Sequence, residues 1–212
     1  MRALSRVETV ERMSEETFFR LCGEDVKAEL IEGVMVMAIP ASHTHERLQG
    51  FLLSLLRIYV EHFGLGEVLG SRTPVRLQEG HIYEPDLLFV AHERVDTIEE
   101  QYVEGSPDLV VEILSASSVA RDRGTKREVY ERNGVKELWL IDPYGPAGSQ
   151  FFQWAVPLSR RREAQEGLRE PSFIGGIYRS AVLSKFWLRE EWLWPREAFP
   201  PTLEVLRQLE VI

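Results

Sequence analysis

The chain has 212 residues, 44% of them hydrophobic and 28% charged, with a formal net charge of −9. That suits a globular protein with chain enough for one α/β domain around a substantial core. A single cysteine, Cys22, excludes an internal disulfide and a thiolate metal site. No apolar run approaches the ~20 residues that cross a bilayer, and no apolar leader is visible near the N-terminus, so the expected location is the cytoplasm.

Residues 14–21 read as a short helix with Ser14 as N-cap and Glu15 and Glu16 in its first turn. The stretch 28–39 alternates around Glu32-Gly33 and predicts a hairpin. Ser42 caps a long amphipathic helix: Leu48, Phe51, Leu52, Leu55, Leu56 and Tyr59 recur at helical spacing to about Phe63, and Gly64 closes it. Strands are expected at 73–77, 82–90, 108–114 and 137–141, and a second helix from Ser117 or Ser118 to about Gly134. The runs Leu87–Val90 and Leu109–Val111 are apolar without alternation, as in strands covered on both faces. The fold class is therefore α/β or α+β, a mixed β-sheet flanked by helices. After Pro143 come a Gly145-Pro146-Gly148 turn, an outer strand at 151–156, a charged loop at 159–170 and a tryptophan-rich segment at 186–194. With no repeat or low-complexity linker, the expectation is one domain over 1–212, its core at about 14–143 and an extension over 144–212.

Residue usage is skewed. There are 21 Arg but 4 Lys, 28 Glu but 6 Asp, and one Asn. A thermophilic source or a GC-rich genome would each give this bias, and either makes a specific role more plausible wherever Lys or Asp does occur. Glu112 lies in a strand otherwise fit for the sheet interior, where a carboxylate is costly unless paired or bound to a metal; a core Glu–Arg pair is the alternative. Asp86 opens the apolar run 87–90, and a plain Pro-Asp turn is its alternative. Two acids on consecutive central strands can meet at one sheet end and hold a hard divalent ion with substrate phosphate. Lys126 shares a helical stripe with Val119, Asp122, Val129, Tyr130 and Asn133, which turns a scarce amine toward those acids, where it could stabilise a transition-state phosphate. An Asp122–Lys126 surface pair is its alternative.

The charge of −9 argues against wide phosphate contacts, softened by the cluster Arg121, Arg123, Lys126, Arg127 and the run Arg160–Arg162. His43 and His45 lack further ligands at zinc spacing. No glycine-rich phosphate loop occurs, so no nucleotide cofactor is expected. The tryptophan-rich segment could stack on nucleic acid, although core packing or a subunit interface is the better use of it.

With ELIEG at 29–33, His45 opening the long helix, YEPDLLFV at 83–90, GSPDLVVEILS at 105–115, Asp122, Lys126, Tyr130 and GVKELWLIDP at 134–143, the chain resembles the PD-(D/E)XK nuclease superfamily. Within it, the chain is similar to the bacterial "putative restriction endonuclease" or Uma-two family, over roughly residues 14–143 and again weakly at 178–194. The resemblance implies a restriction-endonuclease-like core with a four-stranded mixed sheet, and cleavage of DNA with Mg²⁺ or Mn²⁺. It implies Asp86 and Glu112 as metal ligands, with the Ile113 carbonyl as a further candidate, and Lys126 as the catalytic amine. Glu29 would be an extra acid, and His45 a phosphate or water contact or a structural helix start. The lysine expected two residues after the acid is Leu114 here, so Lys126 has to reach back from the following helix. A homodimer would suit two cuts on a duplex. Two other readings stand beside the nuclease: an inactive nuclease-fold module that binds DNA or protein, and a metal-dependent phosphohydrolase acting on RNA or small substrates.

Overall fold

The computed structural model describes residues 12–22, 26–154 and 173–212; the expected loop at 159–170 with its arginine run, and the last two residues of the expected outer strand, lie outside the described residues. Helix α1 (Glu15–Cys22) starts where Ser14 Oγ accepts the amide of Thr17 at 3.2 Å. Strands β1 (Ala28–Ile31) and β2 (Val34–Met37) form the expected hairpin, and Glu32 (φ 52°) and Gly33 (φ 79°) supply the left-handed pair that its tight turn requires. Helix α2 (His43–Phe63) has the anticipated ends: Ser42 Oγ accepts the His45 amide at 3.2 Å, and Gly64 (φ 61°) is left-handed.

The central sheet is assembled from β3 (Gly66–Gly70), β6 (Leu87–Ala91), β8 (Leu109–Ile113), β9 (Glu137–Ile141) and β10 (Gln150–Gln153), in the order β10-β9-β8-β6-β3. Only the β8–β9 pair is parallel, so the sheet is mixed. Side-chain alternation divides the apolar strands between two cores. Leu87, Phe89, Val111, Ile113, Trp139 and Ile141 pack with the apolar stripe of α2. Leu88, Val90, Val110, Leu138 and Leu140 pack on the other side with Val129 and Tyr130. Glu112, next in step after Val110, therefore belongs to the second face, the one covered by the helix that carries Lys126.

A second sheet orders β2-β1-β5-β4-β7, with β4 (Val75–Gln78), β5 (His81–Tyr83) and β7 (Val103–Glu104). Its presence corrects two expectations. The central sheet has five strands rather than four, and the single strand expected at 82–90 is two strands in different sheets. Tyr83 pairs with Val75, whereas Leu87 pairs with Gly70 and Val111. The chain changes sheets at Glu84-Pro85-Asp86, where Pro85 has no amide to give a ladder. Strand β3 is absent from the expectations because Gly66 and Gly70 at its ends mask any β signal. Gly66 is required: at φ 143°, a Cβ there would lie 2.1 Å from the Val90 carbonyl oxygen.

The second helix is not continuous. It runs as α3 (Val119–Arg121), a π-turn (Asp122–Lys126) broken at Gly124, and α4 (Arg127–Asn133), with the Arg127 amide donating to the Asp122 carbonyl. The stripe survives the π-turn: Asp122, Lys126, Val129 and Tyr130 are all buried.

The C-terminal part forms a ribbon, β11 (Ile177–Arg179) and β12 (Trp187–Arg189), followed by α5 (Glu190–Leu193) and α6 (Thr202–Gln208), which packs on α2. Phe186, Leu188, Trp192 and Leu193 enter the α2-side core, so most of the tryptophan-rich segment is packing. Glu137, fully buried in β9, fastens this part: its carboxylate accepts from Trp139 Nε1 (2.7 Å), Tyr178 OH (2.6 Å), Ser180 Oγ (2.9 Å) and the amides of Ala181 (2.7 Å) and Val182 (3.1 Å). No helix among the described residues is long and apolar enough to cross a membrane.

Candidate active site

The acids meet because of strand register. Leu87 of β6 lies opposite Val111 of β8, so Asp86, one residue earlier, falls beside Glu112 and Ile113. The Ile113 amide donates to Asp86 Oδ2 at 2.8 Å. His45 Nε2 lies 3.1 Å from the same oxygen, Lys27 Nζ donates to Oδ1 at 3.3 Å, and Gln49 donates to the Asp86 carbonyl at 3.1 Å. Burial opposes ionisation of Asp86, but the His45 hydrogen bond, the Lys27 charge and the Ile113 amide outweigh it and hold the carboxyl below its usual range. Burial likewise pulls the His45 pKa down, yet the bond and charge of Asp86 prevail and raise it. His45 thus does more than begin a helix: it grips the acid at the strand mouth.

Lys126 reaches from its helix into the sheet end. Its amine is 2.5 Å from Glu112 Oε1, 2.7 Å from Glu29 Oε1 and 3.6 Å from Asp122 Oδ1, with 2% of the residue exposed. It also stands 5.4 Å from the centre of the Tyr83 ring. Tyr130 OH donates to Glu112 Oε1 at 2.6 Å. Glu112 is therefore paired with a lysine and a tyrosine rather than an arginine, and Asp122–Lys126 is a buried contact rather than a surface one. Burial would discharge the amine, but Glu112, Glu29, Tyr130 and Asp122 around it raise its pKa well above the ordinary value. Glu112 is pushed up to about 8, by burial first, against the attraction of Lys126 and with the repulsion of Asp122, Asp86 and Glu29.

The structure thus gathers all five nominated residues along one cleft of about 670 Å³, in two subclusters: Glu112–Lys126–Glu29, and Asp86–His45 with Lys27. No ion pair joins Lys126 to Asp86. The basic cluster expected at 121–127 is dispersed instead of forming a patch. Lys126 is buried, Arg121 Nε faces Glu29 at 3.5 Å, Arg123 donates to the Gly148 carbonyl, and Arg127 stacks on Phe152.

Residues outside the nominated set also line the cleft. Lys27 is one of four lysines, so scarcity alone could have singled it out. Tyr130, which is on the helical stripe, is fully buried behind Glu112 and not part of the cleft wall. Glu84 carried no signal beyond adjacency to Pro85-Asp86. It is 7% exposed, its Oε2 has no hydrogen-bond partner, and burial raises its pKa to about 7 despite Lys27. Five carboxylates, Glu29, Glu84, Asp86, Glu112 and Asp122, line one cleft with fewer cations than acids to neutralise them, and two of their buried oxygens, Glu84 Oε2 and Asp122 Oδ1, have no hydrogen-bond partner. That hard-oxygen donor set fits a divalent cation. Among the described residues no three His, Cys, Asp or Glu side chains form a ready-made cage, so Asp86 and Glu112 would leave positions for water and phosphate.

A mixed sheet between helices, with acids and a lysine at one sheet end, defines a nuclease-like α+β protein. Residues 15–174 match the family described as Uma2, putative restriction endonuclease, and the chain belongs to that family. A crystal structure of "a putative nuclease belonging to DUF820 from Anabaena variabilis ATCC 29413" shares the fold, with a TM-score of 0.62 at 17% identity over 86% of this chain and 97% of that one. No curated protein matches the chain.

Proposed function

We propose that the protein is a metal-dependent endonuclease that hydrolyses DNA phosphodiesters through a PD-(D/E)XK-type site, with Asp86 and Glu112 as ligands of Mg²⁺ or Mn²⁺ and Lys126, Glu29 and His45 as the assisting groups. The observation that carries this reading is the meeting of Lys126 with Glu112 at 2.5 Å and Glu29 at 2.7 Å at the sheet end that also holds Asp86. The three come from β1, β8 and the turn before α4, and a purely structural core has little reason to bury so many charges together.

When bound, the ion supplies a more acidic water and offsets charge on the phosphate oxygens. Lys126, held protonated by its acidic neighbours, stabilises the extra negative charge of the transition state, and its preset position spares reorganisation during the reaction. Glu29 fixes the direction of that amine. His45 and the Ile113 amide orient Asp86, as outer partners of a metal ligand do. Tyr130 does the same for Glu112.

The test compares cleavage of plasmid and single-stranded DNA in Mg²⁺, Mn²⁺ and EDTA by the wild type and Asp86→Ala. Metal-dependent cleavage that Asp86→Ala abolishes is expected. Activity surviving that substitution at the wild-type rate refutes the site. No cleavage together with no metal binding identifies the nuclease fold without the activity, a result toward which the −9 charge would point.

A further inference from the structure

Three of the nine large apolar side chains exposed among the described residues rim the one cleft that holds the candidate site: Met37, 58% exposed, Ile39, 68%, and Tyr144, 76%. They come from two distant pieces of chain, the end of β2 with its following linker and the turn after β9. Their clustering is therefore a product of the tertiary fold, and exposed apolar clusters mark contact sites. The acids and the amine lie deep below this rim, with Asp86 5%, Glu112 4% and Lys126 2% exposed.

A second cavity, about 590 Å³, adjoins the first and shares with it Lys27 and the linker at 38–41. Gln49 and Arg72 line it further along. The two cavities are thus neighbours, with Lys27 and the linker at 38–41 forming walls common to both. Each has the volume of a pocket that takes a small ligand, roughly 300–1,000 Å³.

We propose that the substrate enters as a single DNA strand, with its bases stacked on Tyr144 and on the Met37–Ile39 edge and its backbone passing Lys27 from one cavity into the other. This rests on the nuclease reading and specifies the form of the nucleic acid. In a duplex the phosphates sit on a stiff stacked rod, whose neighbouring base pairs would meet the rim before a phosphate reached groups so deeply buried. A lone strand has the torsional freedom to fold one phosphodiester into the cleft. The binding chemistry agrees. A chain of charge −9 has little scope for wide counterion release, so sequence-indifferent base stacking on the rim has to supply a larger share of the affinity, beside the cations Lys27 and Arg72 that line the second cavity.

The experiment measures fluorescence anisotropy of a labelled single strand and of the matched blunt duplex, in EDTA and again in Ca²⁺, with the wild type, Tyr144→Ala and Ile39→Ser. Both substituted side chains are surface-exposed, so an unchanged thermal midpoint will verify that the fold is intact. The wild type is expected to bind the single strand at least ~10-fold more tightly than the duplex, and Tyr144→Ala to lose about tenfold on the single strand alone. Equal affinity for the duplex overturns the proposal. So does a Tyr144→Ala protein whose single-strand affinity is intact, including the case in which the variants change only the oligomeric state and reveal a contact between copies of the chain. Cleavage in Mg²⁺ is scored separately. A single-strand preference without cleavage leaves the binding path standing and removes the nuclease reading; duplex cut as fast as single strand removes the path and leaves the nuclease.

Discussion

Replacing Lys126 with methionine keeps most of the side-chain volume and deletes the charge. The amine it removes is buried and within 2.7 Å of two carboxylates, with a third at 3.6 Å. Removing one partner of a buried ion pair costs about 3–5 kcal/mol, because the remaining charge has neither water nor a counterion. For a chain of this size each kcal/mol moves the melting temperature by roughly 2–4 °C, so the expected loss is about 6–20 °C. The loss has a pH signature. Burial pushes Glu112 up from an ordinary 4.5 to about 8, so the folded state favours its protonated form between those values. Its ionisation therefore erodes stability as pH rises through that window. Without Lys126 the carboxyl is pushed higher still, and taking up a proton at low pH relieves the strain. The melting-temperature difference between wild type and Lys126→Met should be small near pH ~5 and largest near pH ~9. DNA cleavage should fall by about 10²–10³ at all pH values, as for the loss of a preorganised transition-state donor. A variant that melts with the wild type at the higher pH would refute the reasoning, since the amine would then have no buried acids to compensate.

Two further predictions concern other groups. Glu84 and Glu112 are raised by burial to about 7 and about 8 in the metal-free chain, and ligand carboxylates must be ionised; Mg²⁺ or Mn²⁺ binding should therefore release protons and strengthen up to tenfold per pH unit per proton between about pH 6 and 8. Calorimetry in two buffers of different ionisation enthalpy measures the release, and identical heats would count against the acids as ligands. Glu137→Ala should leave four donors in the C-terminal part and the Trp139 indole N–H without their acceptor, costing about 1–3 kcal/mol for each donor that water does not reach; limited proteolysis should then cut near 178–183 first, and an unchanged digestion pattern would show that the ribbon is held by packing alone.

Much of the local architecture was legible because its causes are local. Ser42 and Gly64 bound α2 through hydrogen bonds and a backbone conformation that involve residues a few positions away. Glu32-Gly33 did the same for the first hairpin. The burial of β6, β8 and β9 on both faces could be read from unbroken apolar runs. The nominations of Asp86, Glu112 and Lys126 came from placing rare or costly side chains against that background. What was illegible had long-range causes. Nothing near Ile82–Val90 announces that its halves join different sheets, and β3 is built of residues with little strand preference. Glu84 looks like a turn residue until the second sheet closes over it.

The amino-acid order by itself marked the capped helix, the first hairpin and the strands covered on both faces, and singled out Asp86, Glu112 and Lys126 as rare or costly side chains where they stand. Only the tertiary structure decided the pairings: Lys126 with Glu29, 97 positions away, Asp86 with His45 and Lys27, and an apolar rim over both. Caps and periodicity act within a turn or two of chain. Side chains from remote segments are brought within hydrogen-bond reach by strand register and by the packing of helices on both faces of a sheet, which no short stretch of sequence encodes.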